Sequence, residues 1–115
     1  MVGFALEAAE TLAAEGISAE VVDLRSIRPM DTETVVESVK KTSRLVTAEE
    51  GWRFMGIGAE LSATVTNEAF DYLDAPPMRV TQKDVPLPYA GNLEAMSLPN
   101  TDDIVAACRA VCEGM

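Results

Sequence analysis

"AEVVDLRSIRPMDTETVVESVKKTSRLVTAEE" (Ala19–Glu50) is the stretch whose reading decides the fold. Ala19–Leu24 is short and β-branched, which predicts a strand. Pro29 ends the turn that follows. Asp31 then stands where an N-cap belongs, with Glu33 in the first turn and Lys40 and Lys41 in the last, so side-chain charge complements the helix dipole. Val35, Val36 and Val39 make one apolar face. Arg44–Glu50 predicts a second strand. A strand, a helix of one apolar face and a second strand form a βαβ unit, which favours a parallel sheet.

The pattern repeats outward. Phe4–Glu15 is rich in Ala, Leu and Glu, with Leu6, Ala9 and Ala13 at helical spacing, and Gly16 follows as a stop. Beyond the central unit, "GWRFMGIG" (Gly51–Gly58) leads into a helix from about Ala59 to Phe70, with Leu61 and Val65 inward. Pro77–Gln82 predicts a third strand. Asn100 or Thr101 caps a last helix, in which Ile104, Val105, Cys108 and Val111 form one stripe. Alternating strands and helices predict an α/β domain in layers around a mostly parallel sheet. The first element is a helix, whereas a βαβ unit wants a strand before it. The chain is therefore expected to be incomplete and to lack its upstream strand. Val21–Leu24 and Leu45–Thr47 would then lose a shared neighbour, and unpaired edges invite self-association.

Between the third strand and the last helix lies "DVPLPYAGNLEAMSLPN" (Asp84–Asn100). Pro86, Pro88 and Pro99 remove backbone donors and push the residues before them out of the helical region. No hydrophobic period of either kind is visible, so an irregular strap is expected. Compact domains rarely carry such a length of irregular chain unless it has a task.

Composition excludes several classes of function. At 115 residues and 48% hydrophobic content, this is one folded domain. A net charge of −10 disfavours nucleic acid, anionic membrane and polyphosphate as partners. No apolar run approaches the roughly 20 residues that span a bilayer, and the acidic start lacks the basic region of a signal peptide. There is no histidine, so a histidine general base, a Ser-His-Asp triad and a His-ligated metal are all excluded within this chain. Cys108 and Cys112, four apart on one helix face, are too few for structural zinc and read as small buried hydrophobes.

The remaining polar motifs are weak. Gly56 and Gly58 open a helix, where a glycine turn can cradle phosphate, but the full dinucleotide pattern is absent and a turn with a cap is the plainer reading. Glu49 and Glu50 alternate across a strand and make a poor acid–base couple. Trp52 is either a core lid or an interface anchor. Arg25 and Arg28 have abundant acid nearby for salt bridges. Residue chemistry alone reaches an α/β domain with interface features and no self-contained active site.

The wording itself carries more. "DLRSIRPMD" (Asp23–Asp31), "VKKTSRLVTAEEGW" (Val39–Trp52), "GIGAEL" (Gly56–Leu61) and "DVPLPYAGNLE" (Asp84–Glu94), in this order, closely resemble the C-terminal domain of pyruvate dehydrogenase beta subunits. The resemblance covers essentially the whole chain. Arg53–Met55 depart from it, since the family usually has a proline and a polar residue there.

The resemblance implies a three-layer α/β/α fold shared with the transketolase C-terminal domain. It implies an intact enzyme that decarboxylates pyruvate and reductively acetylates lipoyl groups. Thiamine diphosphate and magnesium would be held by an upstream domain and the alpha subunit, with none bound by this chain. No catalytic, cofactor-binding or metal residue is expected here. The implied partners are the alpha subunit, a second beta subunit and the basic peripheral-subunit-binding domain of dihydrolipoyl acetyltransferase, which suits the negative charge. Neither nucleic acid nor membrane is expected as a partner. The implied location is the mitochondrial matrix or bacterial cytoplasm. The residues expected to touch partners are Pro86, Pro88 and Tyr89 in the strap, with Asp74 in the turn before the third strand. Alternatives are the same domain in another 2-oxo acid or acetoin dehydrogenase, a transketolase-like enzyme, or a stand-alone module presenting Pro86–Tyr89 to an aromatic groove.

Overall fold

The computed structural model describes residues 1–113. Five α-helices, α1 (Val2–Ala14), α2 (Thr32–Thr42), α3 (Ile57–Ala69), α4 (Gly91–Ser97) and α5 (Thr101–Glu113), accompany two strands, β1 (Val46–Trp52) and β2 (Met78–Gln82). A 3₁₀ turn, Phe70–Tyr72, extends α3.

Local chemistry sets the helix ends. α1 stops in a Schellman motif: Gly16 adopts φ 85°, its N–H donates to the Ala13 carbonyl, and the Ile17 N–H donates to the Leu12 carbonyl at 2.9 Å. Asp31 caps α2 by accepting from the Thr34 N–H at 3.1 Å and the Thr34 hydroxyl at 2.6 Å. Those bonds hold its carboxyl below the ordinary carboxylate range. α5 begins with a reciprocal pair: Asp103 N–H donates to Asn100 Oδ1 and Asn100 N–H to Asp103 Oδ2.

β1 and β2 pair in parallel, with Val46 opposite Met78 and Ala48 opposite Val80, and α3 makes the crossover. Alternation along β1 divides the core. Val46 and Ala48 pack with Val80 onto α1 and α5, against Ala8, Leu12, Ile104, Val105 and Ala107. Leu45 packs on the other side with Val35, Val36, Val39, Leu61, Val65 and Ala69 of α2 and α3. Helices thus cover both faces of the strands, which is the expected three-layer α/β/α arrangement with parallel pairing.

Three expectations need correction. Ala19–Leu24 is not a strand. It runs without a ladder, although Val22 and Leu24 pack onto the α2–α3 core. A strand exists only through a hydrogen-bonded neighbour. Between this segment and the outer edge of β1 lies instead an apolar cavity of about 640 Å³. Second, Asp84–Asn100 is not irregular throughout. Pro86, Pro88 and Pro99 restrict its ends, but Gly91–Ser97 contains no proline and winds into α4. Seven residues are too few to display a helical period. Third, only Cys108 of the two cysteines is partly buried, packed on the α1–α5 core, where burial raises its thiol pKa. Cys112 is exposed.

Candidate functional site

The C-terminal ends of the two strands carry the molecule's most distinctive surface. β1 delivers Glu49 toward the start of α3, and its carboxylate accepts from the Gly58 N–H at 2.6 Å. This is a charge-assisted bond to an open helix start. The glycines are there to admit that carboxylate. A Cβ on Gly58 would lie 2.5 Å from Glu49 Oε2 and 2.6 Å from the Thr47 hydroxyl, and one on Gly56 would overlap Glu49 as well. The helix start is therefore filled by the chain's own anion. A cofactor diphosphate does not fit there, and the turn-and-cap reading of Gly56–Gly58 holds. Glu50 is exposed and takes no part.

Trp52 ends β1 and fastens the strap. Its indole N–H donates to the Val85 carbonyl at 2.9 Å. The Gln82 amide braces the same corner: assigned so that both its atoms find partners, it donates to the Glu50 carbonyl at 3.1 Å and accepts from the indole N–H at 3.3 Å. Arg53 and Arg79 each donate to the other's backbone carbonyl, at 3.3 and 2.9 Å. Lys83 N–H donates to the Ser97 carbonyl and closes the strap against the end of α4. Between these anchors Val85, Pro86, Leu87 and Tyr89 are exposed, while Pro88 is half-buried. Tyr89 is fully exposed, at 103% of its reference area.

Sequence reasoning missed the neighbours that enlarge this surface. Phe54 and Met55, beside Trp52, are 83% and 85% exposed. Their signal was present: three large apolar residues within a glycine-flanked loop without period. Together with Val85, Leu87 and Tyr89 they place large apolar side chains at one end of the strands, where single exposed hydrophobes would need no explanation.

Asp74 is elsewhere. Its N–H donates to the Ser43 carbonyl, just before β1, and its carboxylate lies 3.7 Å from the Arg44 guanidinium with most of the side chain exposed. β2 separates it from the strap by about 13 Å at 3.3 Å per residue step. Asp74 is thus not brought together with Pro86, Pro88 and Tyr89. Arg25 and Arg28 lie on the surface, and Arg25 pairs with Asp23 at 3.6 Å. Among the described residues no group of three or more Cys, Asp or Glu is placed to hold a metal ion, and no helix is long and apolar enough to cross a membrane.

Residues 1–104 match the family model described as "Transketolase, C-terminal domain". The chain belongs to that family. Curated relatives bear out the resemblance to pyruvate dehydrogenase beta subunits. The Arabidopsis thaliana "Pyruvate dehydrogenase E1 component subunit beta-1, mitochondrial" is 60% identical over 97% of this chain and 31% of its own length. The Rickettsia conorii "Pyruvate dehydrogenase E1 component subunit beta" is 55% identical over 96% of this chain and 34% of its own. The Rhizobium meliloti subunit of the same name is 55% identical over 95% and 24%. This chain spans about three-tenths of the length of the relatives it matches.

Proposed function

We propose that this transketolase C-terminal domain acts as the assembly and docking domain of a pyruvate dehydrogenase beta subunit. The enzyme decarboxylates pyruvate and reductively acetylates lipoyl groups. On this reading thiamine diphosphate and magnesium are held by parts of the enzyme outside residues 1–115. The lack of histidine and the filled α3 start support that assignment. Residues 1–115 alone then neither bind the cofactor nor decarboxylate pyruvate. The domain packs against the alpha subunit and a second beta subunit, and it docks to the basic peripheral-subunit-binding domain of dihydrolipoyl acetyltransferase. It works in the mitochondrial matrix or in bacterial cytoplasm.

One observation carries the reading: a strap anchored at Val85 and at Lys83–Ser97 presents a fully exposed tyrosine beside exposed apolar residues. Tyrosine combines apolar area with a hydroxyl and is enriched at interface hot spots. Pro86 and Pro88 restrict the strap before binding, so docking orders less chain. Asp74 offers a separate charged contact for the basic domain, about one strand length away.

In the assembled enzyme, Tyr89→Ala weakens subunit assembly or core binding by about 2 kcal/mol or more, the hot-spot range. Asp74→Ala weakens core binding by roughly 1–3 kcal/mol and leaves pyruvate decarboxylation intact. Surface plasmon resonance against the acetyltransferase core and sedimentation of the subunits measure both. Unchanged affinity and assembly in Tyr89→Ala reduces the strap to a cover over its own domain.

A further inference from the structure

The strap end carries charges that the docking reading leaves idle. The chain holds 19 acidic residues and nine Lys or Arg, so carboxylates outnumber cations by two to one. Arg25, Lys40, Lys41, Arg44 and Arg109 each pair with one. Among the described residues, Arg28, Arg53, Arg79 and Lys83 pair with none. Three of those four stand at the C-terminal end of the strands. Arg53 and Arg79 are also fixed in place. Arg53 Nη1 donates to the Arg79 carbonyl at 3.3 Å, and Arg79 Nη1 donates to the Arg53 carbonyl at 2.9 Å. This crossed clasp leaves Nε and Nη2 of both guanidiniums without a partner among the described residues. The acids of this end do not answer them. Glu49 is committed to the Gly58 N–H, while Glu50, Asp84 and Glu94 are exposed and pair with no cation.

We propose that the Arg53–Arg79 clasp receives a carboxylate from an acidic apolar segment of a different subunit, whose neighbouring large side chain covers Phe54 and Met55. Two guanidiniums held at one place without a counter-ion repel each other, and a carboxylate between them removes that cost. The planar guanidinium fork matches a carboxylate through paired hydrogen bonds. Exposed Lys83 adds attraction during approach. Phe54 and Met55 stand bare beside Arg53, and a free anion brings nothing apolar to cover them. Because backbone carbonyls hold both arginines beforehand, docking orders few side chains. A second copy docking symmetrically would set clasp against clasp, cation on cation. The inference rests on the docking reading and divides it by charge. A basic domain meets like charge at Arg53, Arg79 and Lys83, so the strap end serves the subunit contact and Asp74 serves the basic domain.

Trp52, the single tryptophan, adjoins Arg53 and reports on the site by its fluorescence. The probes are the synthetic peptide acetyl-Gly-Leu-Glu-Phe-Asp-Gly-amide, a control with Gln and Asn in place of its acids, and a second control with Lys at both positions. The acidic peptide changes the fluorescence saturably, and its affinity falls severalfold between about 0.02 and 0.2 M salt. The Gln–Asn peptide binds about tenfold more weakly, and the lysine peptide does not bind. Arg53→Gln and Arg79→Gln each weaken the acidic peptide by about fivefold or more. Arg53 lies in an exposed loop, so its variant decides if Arg79→Gln unfolds. No saturable change up to about 1 mM, equal binding of the Gln–Asn peptide, or an equal response to inorganic phosphate at the same concentration overturns the proposal. So does a dimer of the chain that blocks the peptide, since the occupant is then a second copy. In the assembled enzyme, sedimentation shows subunit association about tenfold weaker in Arg53→Gln. Weaker association or core binding in Tyr89→Ala, with association unchanged in Arg53→Gln, keeps the docking reading and overturns this one. No loss in either variant overturns both.

Discussion

The two ends of the parallel pair are built differently. At the N-terminal end the Asp74 N–H donates to the Ser43 carbonyl, and Arg44 lies 3.7 Å from the exposed Asp74 carboxylate while its Nε donates to the Val111 carbonyl of α5 at 3.1 Å. At the C-terminal end, Glu49 caps α3 and Trp52 and Gln82 brace the strap, so side chains tie three separate segments together. Exposed Phe54, Met55 and Tyr89 sit on that braced frame. A surface that is apolar yet rigidly held loses little entropy on binding a partner, whereas a solvated ion pair contributes little to fold or rigidity. The difference makes the C-terminal end the better-braced apolar surface and leaves Asp74 as a solvated charge at the other end.

The largest effect is expected from Gly58→Ala. The new methyl displaces the Glu49 carboxylate and presses on Thr47, so the α3 cap is lost and the strand is crowded. Denaturant unfolding should show a loss of about 2–3 kcal/mol. A change below about 0.5 kcal/mol, within the ordinary surface range, would mean that the strand end is not the organised region described.

Trp52→Phe keeps an aromatic side chain, though a smaller one, and removes the indole donor. Stability falls by about 1 kcal/mol, and the hydrogen-bonded amides of Lys83 and Val85 exchange faster. If those amides are unmoved, the strap is held by Lys83 and Ser97 alone, and the contrast between the ends narrows. The smallest effect belongs to Asp74→Asn. An exposed pair at this distance contributes about 0–0.5 kcal/mol, so unfolding is unchanged within error and independent of salt. A loss above about 1 kcal/mol would make the N-terminal end a structural centre as well.

Much of the fold was legible because its signals are short in range. The Asp31 cap, the Gly16 stop, the Asn100 start of α5 and the valine stripe of α2 each depend on residues within a few positions. The site was legible in part. Pro86, Pro88 and Tyr89 mark an exposed strap, and Trp52 reads as an anchor or a lid. Its actual role, a hydrogen bond to a residue 33 positions away, was not readable. Cys112 illustrates the same limit, since helical spacing puts it on a face without saying where that face ends.

By itself the sequence determined the helices α1, α2, α3 and α5, the strands β1 and β2, their parallel pairing and the absence of histidine chemistry, because capping, periodicity and composition act locally. Tertiary structure alone decided the rest. Ala19–Leu24 has strand character but forms no strand, since a ladder needs a neighbour at about 4.8 Å and a cavity stands there instead. Glu49 and Gly58 form a cap only because β1 ends facing α3. Asp74 and Tyr89, 15 residues apart in the chain, stand at opposite ends of the sheet because β2 runs its full length between them.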